Sequence, residues 1–385
     1  MIRITDKSLC CGCTACRSIC PVGAISMQKD ELGFRYPSVD ANVCIDCGLC
    51  ESVCGFSQKA DGQVCQLENL SVYAACHEDC EIVSESRSGG VFTSLSDMIL
   101  DQGGVVYGAA FDKDFSVKHI RAVSREDRNR MRGSKYVQSY LNDAFSQVKS
   151  DLESGRSVLF TGTPCQVAGL KSYIPASLQE RLLTVDFVCH GTPSPAVWND
   201  YLKYRSKDVD FNEVQFRDKQ SCGWKAHIES FTDRNNEKKL YRTYSVMFYT
   251  ETMHRDSCYV CPYNIQQRCS DITISDFWGI DQISQMFEVS SGVSMIVCRT
   301  DKGIKAFESA KPSLRVQKHL IDKEFMLKYN PNLLRATICP DDRSDFIEAY
   351  RNYGFDYVAR WWGDVGFRYK VKKFITKVKG KLGIR

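Results

Sequence analysis

Two patterns in the sequence predict its fold class. A run of cysteines is duplicated ahead of residue 60, and beyond it apolar runs bounded by glycine alternate with helix-like stretches. The first cysteine copy reads Cys10-x2-Cys13-x2-Cys16-x3-Cys20-Pro21 and the second Cys44-x2-Cys47-x2-Cys50-x3-Cys54-Gly55. This is the ligand spacing by which bacterial-type ferredoxins hold two [4Fe–4S] clusters. The chain is therefore expected to fold as an α+β ferredoxin-like dicluster domain over residues 1–60. An α/β domain with a mixed sheet follows over 61–340, and then a helical basic tail over 341–385.

The cysteine spacing has a physical cause. Three thiolates three residues apart on a tight loop bond three corners of one cubane, and the fourth thiolate of each run reaches the other cluster. Cluster one is then assigned Cys10, Cys13, Cys16 and Cys54, and cluster two Cys44, Cys47, Cys50 and Cys20. Pro21 turns the chain, while Gly12 and Gly48 let backbone amides approach the inorganic sulfides. Cys11 falls outside the pattern and reads as a spectator. Zinc fits less well, because structural zinc sites pair two Cys-x2-Cys units and need no third ligand in the run. A disulfide framework would want a secretion signal, and MIRITDKSL has no apolar stretch that suits one. A reducing, cytoplasmic setting is expected, with no transmembrane helix because no run of 18 apolar residues occurs.

Composition bounds the rest. The 385 residues suffice for two or three domains. The net charge of +4 conceals a split. Residues 368–385 carry eight Lys or Arg and no acid, which leaves about −4 for the remainder. A nucleic-acid role would want basic residues spread over a folded face, and none is evident.

The second domain begins after a polar linker, SQKADGQ. Strands are predicted at Val72–Cys76, Gly104–Ala110, Val117–Val123, Ser157–Gly162, Leu182–Cys189, Ile272–Ser275 and Val293–Arg299. Helices are predicted at Gly90–Asp101, Asn142–Ser154, Pro195–Arg205, Lys302–Ser309 and Lys323–Lys328. Alternating polar and apolar residues over 212–244, with Arg-Asn-Asn at 234–236, predict a hairpin.

Four segments stand where strands give way to helices. Ser88-Gly89-Gly90 opens a helix, and glycines there free amides for a phosphate. Thr161-Gly162-Thr163-Pro164-Cys165-Gln166 and Cys189-His190-Gly191-Thr192-Pro193 each close a strand, where α/β sheets bind ligands. The fourth is Cys258-x2-Cys261, then Cys269, then SDITISDFWG.

With RSGGVFTSL, GSKYVQS, GTPCQVAGL, CHGTPS and FRDKQSCGW, these segments resemble the family of beta subunits of coenzyme F420 hydrogenases and dehydrogenases over roughly residues 70 to 340. The resemblance implies a flavoprotein that binds FAD and a further [4Fe–4S] cluster held by Cys165, Cys189, Cys258 and Cys261, with Cys269 in reserve. It implies that Ser88, Gly89, Gly90 and Thr93 lie near the flavin pyrophosphate, with Gly133, Ser134, Lys135, Tyr136 and Thr163 nearby. Lys135 would neutralise phosphate or a reduced flavin, and His190 would exchange a proton. Arg217, Lys219 and Trp224 would frame a substrate entrance.

The expected function is an iron–sulfur flavoprotein oxidoreductase. It would pass electrons between a small-molecule hydride donor or acceptor and the clusters, and on to a redox partner protein or ferredoxin. The rival is a non-catalytic subunit that only wires a partner. The tail places Phe367, Val371, Phe374, Ile375, Val378 and Leu382 on one helical face with lysines and arginines opposite, a pattern suited to an anionic membrane surface, a solvated helix or a docking helix.

Overall fold

The computed structural model describes residues 1–56 and 69–366. The first domain is built on an antiparallel hairpin, β1 (Ile25–Lys29) and β2 (Arg35–Val39), in register from Ile25↔Val39 to Lys29↔Arg35. Two short helices, Ala15–Ile19 and Leu49–Ser52, follow the second cysteine of each run. The duplication extends to the backbone. The residues on either side of that cysteine take positive φ in both copies: Gly12 and Thr14 in the first, Asp46 and Gly48 in the second. Each copy places its one glycine on a different side, and a small polar residue adopts the left-handed conformation on the other. The domain's core is Ile2, Cys16, Ile25 and Cys50, with Ile4, Ile19, Cys20, Val39 and Cys54 against it. So small an apolar core does not stabilise a domain unaided, and inorganic clusters or the second domain must add to it.

The second domain is organised on one eight-stranded sheet. Its strands are β3 (Asn69–His77), β4 (Val105–Phe111), β5 (Val117–Ala122), β6 (Val158–Gly162), β7 (Leu182–Phe187), and then, after a separate small sheet, β11 (Ile272–Asp276), β12 (Ser294–Cys298) and β13 (Leu314–Asp322). The small sheet is antiparallel, in the order β10-β9-β8, from β8 (Phe211–Gln215), β9 (Glu229–Asp233) and β10 (Lys238–Tyr241). The large sheet runs β13-β3-β12-β11-β7-β6-β4-β5. The contiguous strands β11, β7, β6 and β4 are parallel, and the flanking pairs are antiparallel, so the sheet is mixed. The inner strand β7 is buried except for Phe187, as a parallel strand covered on both faces should be.

Helix starts lie at the carboxyl ends of these strands. After β6, Thr163 caps the helix Pro164–Tyr173 in a reciprocal box with Gln166, and Pro164 sits at its first turn. After β7, Ser194 caps the helix Pro195–Arg205. The predicted strands and helices all occur, with ends shifted by up to three residues. The strand expected over Leu182–Cys189 stops at Phe187, its last ladder partner being Ile274. Cys189 therefore lies in the loop beyond. The hairpin expected over 212–244 is three strands, with Asn236 at φ 62 in the turn between β9 and β10.

Strand β13 was not anticipated, nor was the burial of the helix that begins the expected helical tail. Strand β13 pairs along the whole of β3 but buries little beyond Leu314 and Ile321, so its sequence lacks an apolar run. The helix Arg343–Trp361 buries Phe346, Ala349, Phe355, Val358 and Ala359, in one core with Trp198, Tyr201 and Tyr244. The first half of the expected tail is thus part of the second domain. The basic amphipathic segment and the linker with the boundary near residue 60 lie outside the described residues.

Candidate redox centre

The first domain's thiols fall into two neighbourhoods. Cys10, Cys13 and Cys54 are the neighbours whose charge, with burial, pushes the Cys16 thiol up. Cys20, Cys44, Cys47 and Cys50 line one small cavity with Val22, Ile45 and Leu49. Backbone amides already point at sulfur: Ile2 N donates to Cys50 Sγ at 3.3 Å and Asp46 N to Cys44 Sγ at 3.4 Å. The eight thiols are free. Among the described residues no group of three or more His, Cys, Asp or Glu is drawn together for a single metal ion. A cubane differs in this respect, because each thiolate binds a different iron.

A second tetrad forms in the larger domain. Cys165 follows β6, Cys189 follows β7, and Cys258 ends a short 3-10 turn, with Cys261 just beyond. Burial, then the charges of Cys258, Cys165 and Cys261, push the Cys189 thiol well up. Burial and Cys165 push Cys258 to about 11 and Cys261 to about 12. Thr192 N donates to Cys258 Sγ at 3.2 Å, and Thr163 Oγ1 lies 3.2 Å from Cys165 Sγ. The thiols are close enough to disfavour simultaneous ionisation, a conflict that coordination to iron removes. Cys269 stands apart, with Lys171 and Asp186 as its charged neighbours.

Cys11, outside the duplicated pattern, is buried beside the thiols of Cys13 and Cys165, one in each domain. The neighbouring Cys11 is the first cause holding Cys165 down at about 7. The domains meet closely here because residue 169 is glycine: a Cβ there would stand 2.6 Å from Cys13 Sγ. The first-domain thiols and the second tetrad are therefore neighbours.

Beside the tetrad, at the carboxyl ends of β6, β7 and β11, lies a cavity of about 480 Å³. Its wall includes Cys165 and Cys189, and Ser88, Gly90, Gly133, Ser134, Lys135, Tyr136, Thr163 and His190. Gly89 and Thr93 are not among the lining residues. Gly89 packs on the sheet, donating to Ser294 Oγ at 2.9 Å, and Thr93 is fully buried, accepting from Arg132 Nε at 3.2 Å. Gly90, at φ 82, caps the helix Val91–Asp101, so that helix's free amides open toward the cavity.

Charge in the cavity is mostly positive. Burial lowers Lys135 to about 7, and its Nζ donates to Arg132 O at 2.7 Å. Arg87 and Arg217 share Asp276, at 3.3 and 3.2 Å. The Nε and Nη1 of Arg87 are buried without a hydrogen-bond partner among the described residues. Such nitrogens beside a cavity call for an acceptor. Burial holds His190 below its usual range, so its imidazole is neutral at pH 7. Trp278 lines the cavity and stacks on Trp224 at 4.6 Å. Trp224 itself is buried behind it. Lys219 is tied to the carbonyls of Val83, Ser88 and Ser291 and lies away from the wall. Arg217 is the member of that expected trio that reaches the cavity. Sequence reasoning missed Arg87 and Asp276, although both sit inside the quoted motifs.

Comparison with known proteins now decides the family. Residues 155–324 match the family described as the C terminus of the coenzyme F420 hydrogenase/dehydrogenase beta subunit. Over that segment the chain belongs to this family of beta subunits. Residues 9–57 match the 4Fe-4S dicluster domain, so the N-terminal unit is a dicluster domain. The segments carrying Ser88–Gly90 and Gly133–Tyr136 lie outside both matches.

The F subunit of the F(420)H(2) dehydrogenase of Methanosarcina mazei is 22% identical over 222 residues, 54% of this chain and 62% of that protein. A ferredoxin of Methanocaldococcus jannaschii is 37% identical over 51 residues, 13% of this chain and 65% of its own length. The chain thus spans less than two thirds of each of these relatives. A chain of the F420-reducing [NiFe] hydrogenase complex from Methanosarcina barkeri superposes with a TM-score of 0.48 at 17% identity, covering 75% of this chain and 94% of that one. Among the described residues no helix is long and apolar enough to cross a membrane.

Proposed function

We propose that this oxidoreductase-family chain takes electrons in pairs at the large cavity and carries them singly through three [4Fe–4S] clusters to a redox partner protein. The observation that carries the reading is adjacency. Cys165 and Cys189 form part of the cavity wall with Cys11, and Cys13 of the first domain packs against Gly169 of the helix that Cys165 opens. The proposed ligands are Cys165, Cys189, Cys258 and Cys261 for the inner cluster. Cys10, Cys13, Cys16 and Cys54 serve the next, and Cys20, Cys44, Cys47 and Cys50 the outermost, where Cys47 is exposed.

The cavity fits FAD in chemistry. The amides after Gly90, the unpartnered nitrogens of Arg87 and the ammonium of Lys135 all favour an anion such as a pyrophosphate. A bound flavin supplies the conversion between hydride transfer and single electrons. A hydride carries two electrons and one proton, and clusters held by these cysteines would take up the electrons one at a time. The neutral imidazole of His190, on the cavity wall, accepts a proton released there. Trp278 and Tyr249 offer ring faces to a planar donor, of which reduced coenzyme F420 is the class the family name suggests.

Anaerobic purification followed by iron, sulfide and flavin analysis tests this. The expected result is about twelve irons and one releasable flavin per chain, from three four-iron cubanes. The protein should be reduced by a hydride donor without added mediator. Clusters without flavin would instead make the chain a wiring subunit. Zinc in place of iron would end the proposal.

A further inference from the structure

Arg255 is a buried cation without an anionic partner of its own. It is 1% exposed, and no described ion pair includes it. Its Nε donates to Cys10 O at 2.7 Å, Nη1 to Gln138 Oε1 at 3.0 Å, and Nη2 to Arg35 O at 2.9 Å. All three acceptors are neutral. Nη2 also lies 3.7 Å from Cys10 Sγ, and the guanidinium sits over the Tyr36 ring at 4.1 Å. A guanidinium taken out of water against neutral dipoles alone is costly. The fold keeps it nonetheless, and Gly12 leaves room for it: a Cβ there would stand 3.0 Å from Arg255 Nη1.

The acidic groups near Arg255 include Cys10, Tyr36, Cys11 and Cys258, with Cys13 and Cys165 also within its field, and Cys258 N donates to Arg255 O at 2.9 Å. Cys10 belongs to the proposed cluster one and Cys258 to the proposed inner cluster. Arg255 is also only three residues from Cys258 in the chain. It thus stands between two tetrads from different domains, whereas Cys20, Cys44, Cys47 and Cys50 line a separate small cavity that Arg255 does not reach.

We propose that Arg255 is the shared counter-charge of these two clusters, held between them so that the reduction potential of each is higher than it would be without it. The inference rests on the cluster assignment above. A cubane with four thiolates is anionic, and reduction adds a further negative charge. A fixed buried cation favours the reduced form, and hydrogen bonding to a ligand sulfur acts the same way. The anionic cubanes in turn supply the partner charge that the protein side chains do not. Arg255 is a positioning residue in this sense, since it acts through the ligands.

The experiment is an anaerobic potentiometric titration of the full-length, cluster-loaded protein, followed by electron paramagnetic resonance, on wild type, Arg255→Gln and Arg255→Lys. The expected result for the glutamine variant is full iron, with two of the cluster midpoints moved to more negative potential and the third unmoved. Lysine should restore most of the shift. Full iron with no midpoint moved in the glutamine variant overturns the inference, as does an equal shift of all three. If the glutamine variant does not load iron, the lysine variant decides. Midpoints near wild type uphold the role of charge. Midpoints well below wild type, with the charge kept, overturn it. An iron count of about eight in wild type instead removes the inner cluster, and with it the sharing. That failure is read from the wild type alone and so is distinct from a failure at Arg255.

Discussion

Lys135 provides a sharp test of the cavity as an anion site. Its ammonium is lowered to about 7 by burial. A flavin pyrophosphate placed against it favours the charged form and raises it toward the ordinary lysine value of about 10.4. The sign follows. Below pH 7 the free protein already holds the proton, and affinity is at its best. Above pH 7 binding must first recruit a proton, and affinity falls as pH rises. With a free value near 7 and a bound value well above it, the dissociation constant grows as one plus ten to the power (pH minus 7). Between pH 6 and pH 8 this is about tenfold, or about 1.4 kcal/mol.

The other cavity groups do not imitate this slope. His119, held at about 4, stays neutral over the interval, and burial favours the neutral form of His190 as well. The arginines remain charged throughout. Cys165, also near 7, is silenced when bound to iron, so cluster-loaded protein must be used. The assay is fluorescence titration of FAD into flavin-depleted, cluster-loaded protein at several pH values. Lys135→Met should bind more weakly at pH 6 and show no slope. A flat wild-type profile, or the same slope in the methionine variant, would refute the reasoning.

Further outcomes are expected. Cys165→Ala should lose about four irons and retain about eight, with the dicluster signals intact, since its tetrad is separate; an unchanged iron count would remove the inner cluster. Gly89→Ala should lower the unfolding midpoint sharply, because its Cβ would meet Ala75 O at 2.2 Å and Ser294 N at 2.9 Å, backbone atoms of two paired strands. Overpacking of this kind costs about 1–3 kcal/mol or more, and a wild-type urea midpoint would contradict it. Thr163→Ala removes the cap of the helix Pro164–Tyr173 and should cost about 1 kcal/mol, largely recovered by Thr163→Ser. Equal losses in both variants would show that the capping oxygen is not the cause.

The amino-acid sequence determined the dicluster domain by itself. Its eight thiols recur at one duplicated local spacing, so neighbouring residues suffice to mark the dicluster motif. The parallel strands were legible for a similar reason. β6 and β7 are buried on both faces and read as apolar runs. β13 was not legible, because it is stabilised by pairing with β3 rather than by burial of its own side chains.

What only the tertiary structure decided lies between residues distant in the chain. The approach of Cys11 to Cys165, the room that Gly169 leaves for Cys13, and the place of Arg255 between Cys10 and Cys258 leave no periodic trace in the sequence. Local spacing fixes which thiols share a loop. Which loops face each other depends on how two domains pack, and that is set by long-range burial that no short window of residues encodes.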